Sequence, residues 1–201
     1  MSAAQSARRA GVRRPYDVAS LLEIAVAEFN QRGYDATSME HLSRAAGITK
    51  SSFYHHVTGK EALLQAALQR ALDGLFAVLD EPGAQEGTPL QRLRHVIRRQ
   101  VEVLLAEQPY VTLLLRLRGN TETERWALQR RRAFDAVVTS MARAAVEAGE
   151  LRSDIDPVRT ARLLSGLVNS IVEWYRPGGS SRTALPDEVV RIAFEGLLTR
   201  P

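Results

Sequence analysis

Residues 45–64 read AAGITKSSFYHHVTGKEALL. Gly47 stands between two short amphipathic segments and lets the chain reverse sharply. Before it, Met39, Leu42 and Ala46 recur at helical spacing. After it, Phe53 and Val57 lie four apart behind Thr49, a residue suited to capping a helix N-terminus. Two short helices joined through Ala45-Ala46-Gly47-Ile48 form a helix-turn-helix pattern. Met39, Leu42, Ile48, Phe53 and Val57 supply one small core. Lys50, Ser51, Ser52, Tyr54, His55 and His56 remain on the outer face, small and polar at its start and rich in hydrogen-bonding groups. Such a face suits the groove and phosphates of a nucleic acid; on spacing alone, a purely structural helix pair is the alternative. Lys50 and Lys60, the two lysines among 27 Lys+Arg, flank this segment.

Working outward, the periodicity is helical almost throughout. Val18, Leu21, Leu22, Ala25 and Phe29 form one buried stripe that ends at Gly33. "TSME" at 37–40 predicts a capping box with Thr37 as the cap, and "TGKE" at 58–61 a second one led by Thr58. A fourth helix follows over Ala62 to Leu79, with Leu64, Leu68, Leu72, Leu75 and Leu79 on its face. "DEPGAQEGTP" at 80–89 reads as a loop. Five more helices are expected at about 90–107, 109–118, 121–148, 157–176 and 186–199. "TETE" at 121–124 predicts a further capping box, Asp156-Pro157 marks a helix start, and "RPGGSS" at 176–181 a flexible connection. The fold class is therefore all-α, about nine helices. The expected division is a flexible basic arm at 1–15, a three-helix head at 16–62 and a larger helical bundle at 63–201.

Composition narrows the function. The 201 residues contain no cysteine, which removes disulfides, zinc-thiolate sites and Cys nucleophiles. No secretory pattern and no membrane-length apolar run is read, so a cytoplasmic protein without a membrane partner is expected. The formal charge of +4 is unevenly spread. Arg8, Arg9, Arg13 and Arg14 lie in the first fifteen residues with no acid, while residues 63–201 carry 19 basic and 17 acidic side chains. The arm is either a solubilising tail or a phosphate-tracking one. His55 and His56 are neighbours and point about 100° apart on a helix, and His41 and His95 have no partner at ligand spacing, so no metal site is expected. No serine sits in a nucleophile elbow. Neither an enzyme nor a cofactor is expected.

Leu21 to Leu68, which includes "GYDATSM", "AAGITKSSFYHHV" and "KEALL", resembles the DNA-binding head of the TetR family of bacterial transcriptional regulators. Val57 stands where the family usually has phenylalanine, and Ser51 where it often has glycine. The resemblance implies a TetR-like head on a ligand-binding and dimerisation body. It implies that Thr37 and Ser38 hold a phosphate, that Thr49, Lys50, Ser51 and Ser52 enter the major groove, and that Tyr54, His55 and His56 contact backbone or base edges. Lys60 would clamp a phosphate, with Arg13 and Arg14 extending the grip on double-stranded operator DNA.

For the body, the resemblance implies a homodimer built on helices 157–176 and 186–199. One face would use Leu164, Leu167, Val168, Ile171, Val172 and Tyr175. The other would use Val189, Ile192, Ala193, Phe194 and Leu197. The same stripes could equally be intramolecular core. The pocket candidates are Arg99, Tyr110, Leu114, Arg116, Arg118, Trp126, Phe134, Met141 and Trp174, with the run Arg130-Arg131-Arg132 as further surplus charge: leucines and aromatics with arginines near a mouth, suited to an amphiphilic anion. "VEWYRPGG" at 172–179 is similar to the tail of family members controlling fatty-acid and steroid catabolism, which implies an acyl-CoA thioester. A hydrophobic drug linked to an efflux gene, and a ligand-free interaction bundle, stand as alternatives.

Overall fold

A computed structural model describes residues 17–176 and 181–197, and among these there is no strand. The head comprises α1 (Val18–Arg32), α2 (Met39–Ala46) and α3 (Lys50–Tyr54). The body follows as α4 (Lys60–Ala77), a 3-10 turn at Val78–Asp80, α5 (Pro82–Gln85), α6 (Pro89–Ala106), α7 (Gln108–Leu115) and α8 (Glu122–Glu147). It ends with α9 (Pro157–Asn169), α10 (Ile171–Trp174) and α11 (Ser181–Glu195). Two helices beyond the nine expected are short ones. α5 forms inside the 80–89 segment, and the helix expected over 157–176 is divided at Ser170, whose hydroxyl donates to the Leu167 carbonyl. α11 begins a turn earlier than expected, with Pro186 inside it rather than in its first turn. Residues 198–201 and the "PGGS" part of the expected connection lie outside the described residues, as does the whole 1–15 arm.

Local chemistry sets most boundaries. Asp17, Thr88, Thr121 and Asp156 cap α1, α6, α8 and α9, each side chain accepting from the amide three residues on. Neither capping box expected in the head forms as read from sequence. Ser38 caps α2, accepting from the His41 amide while its own amide donates to His41 Nδ1. α4 starts behind Gly59 with no side-chain cap, so Thr58 does not perform the expected role.

Two cores hold the chain together. The body core joins Leu93, Ile97, Leu104, Phe134, Val138 and their neighbours on α6, α8, α9 and α11. The head core gathers Leu21, Phe29, Leu42, Phe53, Leu64 and Leu68, and also takes Tyr110, Leu113 and Leu114 of α7 and Ala127 of α8. The packing is therefore continuous across the boundary expected at 62/63. Lys60–Asp80 is long and apolar enough to cross a membrane by length and composition alone. Here Leu63, Leu64, Ala67, Leu68, Ala71 and Leu72 instead bury its inner face within the protein.

Candidate nucleic-acid interface and effector cavity

The turn into α3 is fixed from both sides. Gly47 adopts a left-handed conformation at φ 67, and its amide donates to the Ser43 and Arg44 carbonyls. Thr49 Oγ1 accepts from the Ser52 amide at 3.1 Å. Phe53 is fully buried and Val57 packs half-buried behind it. That anchoring leaves Lys50, Ser51, Tyr54, His55 and His56 exposed and Ser52 half-buried, with Tyr54 47% exposed. Lys50 Nζ lies 3.7 Å from Glu40 Oε1, an exposed pair weak enough for a phosphate to replace.

Two residues expected at the phosphates sit differently. Thr37 is 1% exposed and its hydroxyl donates to the Gly33 carbonyl at 2.7 Å. It closes the α1–α2 turn and is withdrawn from solvent; Ser38 beside it is exposed. Lys60 Nζ donates to the Tyr34 carbonyl at 2.9 Å and lies 4.2 Å from the centre of the Tyr34 ring. One of its three donors is thus committed to the head, leaving two for another acceptor. Arg13 and Arg14 lie outside the described residues.

Between α4, α6, α7, α8 and α9 lies a cavity enclosing about 510 Å³ of free space, part of it open to solvent. Only about 40 Å³ admits the centre of a water-sized molecule, so a guest of drug size must push walls apart. Its fully or nearly buried walls are Ala71, Gln100, Leu104, Leu114, Phe134 and Val168. Arg131, Asp135, Ser165 and Asn169 form a half-buried polar part. Burial pushes the Asp135 carboxyl above its ordinary range, against the opposing influence of Arg131.

Of the nine pocket residues expected from sequence, Leu114 and Phe134 line this cavity. Arg99 does not: its guanidinium binds Glu81 at 2.8–3.0 Å and also Glu102, and the ion pairs hold α6 to the segment before α5. His95 Nε2 joins the same group at 2.7 Å from Glu81 Oε2, an acidic partner too distant in sequence for spacing to reveal. Tyr110 is buried under Arg70, which donates to its hydroxyl at 3.2 Å and pairs with Glu107. Arg116 and Arg118 line a separate crevice between the α1–α2 turn and the end of α7, where Arg116 donates to the Asn30 carbonyl. Trp126 packs half-buried against the head core and Met141 against the body core, while Trp174 is 55% exposed. Arg131, in the arginine run at 130–132 that the sequence also offers for a cavity mouth, does line it, whereas Gln100, Asp135, Ser165 and Asn169 were missed. No local signal marks them, because single polar residues on a mostly apolar helix face are ordinary until the cavity beside them is known.

The stripes assigned to a dimer face also divide. Leu164, Val168, Ile171, Val172, Tyr175 and Val189 are buried within this chain, and Ala193 and Phe194 pack half-buried against its core. Leu167, Ile192 and Leu197 are exposed, joined by Trp174 and by Leu163 at 74%. Leu163, Leu167 and Trp174 follow one another along one side of α9 and α10, and Gly166 between them faces open space. Among the described residues no group of three or more His, Cys, Asp or Glu could hold a metal ion.

These features coincide with known proteins along nearly the whole chain. Residues 21–67 match the family model of bacterial regulatory proteins, tetR family, and residues 86–197 that of the tetracyclin repressor-like, C-terminal domain. Over 181 residues the chain is 30% identical to the HTH-type transcriptional repressor KstR2 of Rhodococcus jostii (strain RHA1), covering 88% of this chain and 89% of that protein. The crystal structure of SCO3833 from Streptomyces coelicolor A3, a member of the TetR transcriptional regulator family, aligns with a TM-score of 0.86 at 57% identity over 89% of this chain and 91% of that one. AibR in complex with isovaleryl coenzyme A and operator DNA aligns with a TM-score of 0.75 at 25% identity, over 88% of this chain and 97% of that one. This chain belongs to the TetR family of bacterial transcriptional regulators.

Proposed function

We propose that the protein is a homodimeric, cytoplasmic repressor that leaves its operator when an amphiphilic small molecule enters the cavity, with no catalytic step. The observation that carries this reading is that Ala71 and Leu114 belong to the head core and also line the cavity. A guest that moves either wall moves the packing behind α3, and a close-packed core responds by shifting rather than by absorbing the strain. Differential binding to the two arrangements, with a coupling of about 1–3 kcal/mol, changes operator affinity about 5- to 150-fold. Ser38, Lys50, Ser51, Tyr54, His55 and His56 would make the DNA contacts. Thr49 would serve as the cap that aims them.

The second copy would cover Leu163, Leu167, Trp174 and Ile192 of α9, α10 and α11. To read one operator, such a pair would need its two recognition helices about 34–36 Å apart, one turn of the duplex, or a multiple of it. The similarity to AibR supports an acyl-CoA thioester as effector, with an anionic group of it meeting Arg131 at the half-buried side of the cavity. Asp135 in the cavity wall supports a second reading, a lipophilic cation.

The test is fluorescence anisotropy on operator DNA recovered by genomic selection, with isovaleryl-CoA, longer acyl-CoAs, free coenzyme A and tetraphenylphosphonium added in turn. Release by acyl-CoAs alone supports the first reading and release by the cation alone the second. Unchanged affinity with all of them contradicts an effector of either class.

A further inference from the structure

Gln100 of α6 is 7% exposed, and its Nε2 is buried without a hydrogen-bond partner. Three buried polar side-chain atoms among the described residues share that state, on Asn30, Arg92 and Gln100, and only Gln100 lines this cavity. Its fellow buried walls, Leu104, Leu114, Phe134 and Val168, offer no acceptor. A buried amide donor left unpaired is costly, and leucine or methionine would fill the space at less expense. In a cavity whose guest is plain hydrocarbon Gln100 is only a liability, whereas for an oxygenated guest it is the group that discriminates.

Resting on the reading of this cavity as the effector site, we infer that the buried portion of the effector carries an uncharged carbonyl oxygen, of the ketone, ester or lactone class, which accepts a hydrogen bond from Gln100 Nε2. Gln100 is the more deeply buried of the two, 7% exposed where Arg131 is half-buried, so the carbonyl belongs to the desolvated portion of the effector and any anionic group to Arg131. A carboxylate is a poor substitute at this depth. It would have to shed its water among Leu104, Leu114, Phe134 and Val168, with no buried cation in the lining to pair it.

A matched pair of probes isolates the contact: 2-decalone, a bicyclic ketone, and decalin, its parent hydrocarbon. Their dissociation constants are read from headspace gas chromatography over full-length wild type, Gln100→Leu and Gln100→Met. Comparing each probe with itself across variants cancels its own hydration. The expected result is that 2-decalone weakens about tenfold in both variants while decalin is unchanged or tighter. Parallel changes for both probes overturn the carbonyl assignment and leave the cavity as an apolar effector site. Failure of both to bind wild type overturns the cavity reading and this inference with it. Two variants of different shape guard against a single packing fault, and a melting curve for each verifies that it is folded.

Discussion

In the head, Phe53 is fully buried while Tyr54 and His55 beside it stand in solvent; in the body, Gln100 and Phe134 are buried and border a cavity. The first arrangement puts chemistry on the outside and uses the core only to aim it. The second puts chemistry inside, where the same leucines and phenylalanines serve as structural core and as lining. An outward-facing site on one helix is read from periodicity, because each residue is either in or out. An inward-facing site assembled from five helices carries no linear signature. The regions meet at Ala71 and Leu114, which is where occupation of one can be felt by the other.

The largest expected effect comes from removing the anchor on each side. Phe53→Ala and Phe134→Ala each cost about 3–5 kcal/mol of stability, read from denaturant unfolding. They should separate on function. Phe53→Ala abolishes DNA binding, whereas Phe134→Ala keeps it and alters the response to effectors. Equal loss of DNA binding in both would erase the distinction between aiming core and cavity wall.

Next comes Leu163→Glu, which places a charge on the exposed stripe of α9. A monomer by light scattering is expected, with operator affinity lowered by about 10²–10⁴ because the two heads no longer bind as one. A dimer of unchanged affinity would move the interface elsewhere.

Lys60→Ala follows. It should weaken binding to all duplexes alike and reduce the slope of log affinity against log salt by about one unit. Because Lys60 also holds the Tyr34 carbonyl, a lower melting temperature without any change in slope would assign it a structural role alone.

The smallest effect concerns Asp135, whose carboxyl is raised by burial. The folded form then holds its proton more tightly than the unfolded form, so this group's stability contribution is present below the unfolded value of about 3.9. It is lost as pH rises through the folded value. Asp135→Asn should melt higher than wild type at pH 7, with the gap closing near about pH 4. A gap that widens on acidification would reverse the sign and mean that Asp135 is stabilised as the anion.

The fold and the face of α3 were legible because their signals are local: Gly47, the Thr49 cap and the four-residue step from Phe53 to Val57. Where two local readings competed, sequence chose wrongly. Thr37 and Ser38 can both cap α2. The familiar threonine–glutamate box drew the choice to Thr37, whereas the structure pairs Ser38 with His41. On α9 the Leu164–Val168 and Leu163–Leu167 pairs are both apolar. Only tertiary packing shows that the first faces this chain's core and the second faces out. The pocket was least legible. Arg99 reads from sequence as an arginine near a pocket mouth because its partner Glu81 lies 18 residues away in a segment read as loop. Gln100, one residue on, was passed over because a single glutamine on a buried stripe is ordinary in a sequence and unusual only beside a cavity.

The account rests above all on the exposed side of α3 meeting a duplex. Its most direct test is the affinity of Tyr54→Ala/His56→Ala for the selected operator, measured by anisotropy beside wild type. Both side chains are exposed, so folding and dimerisation should be preserved. The expected result is a loss of at least about tenfold, one to three kcal/mol being typical of a lost specific contact. Wild-type affinity in the double variant, with the fold intact, would contradict it.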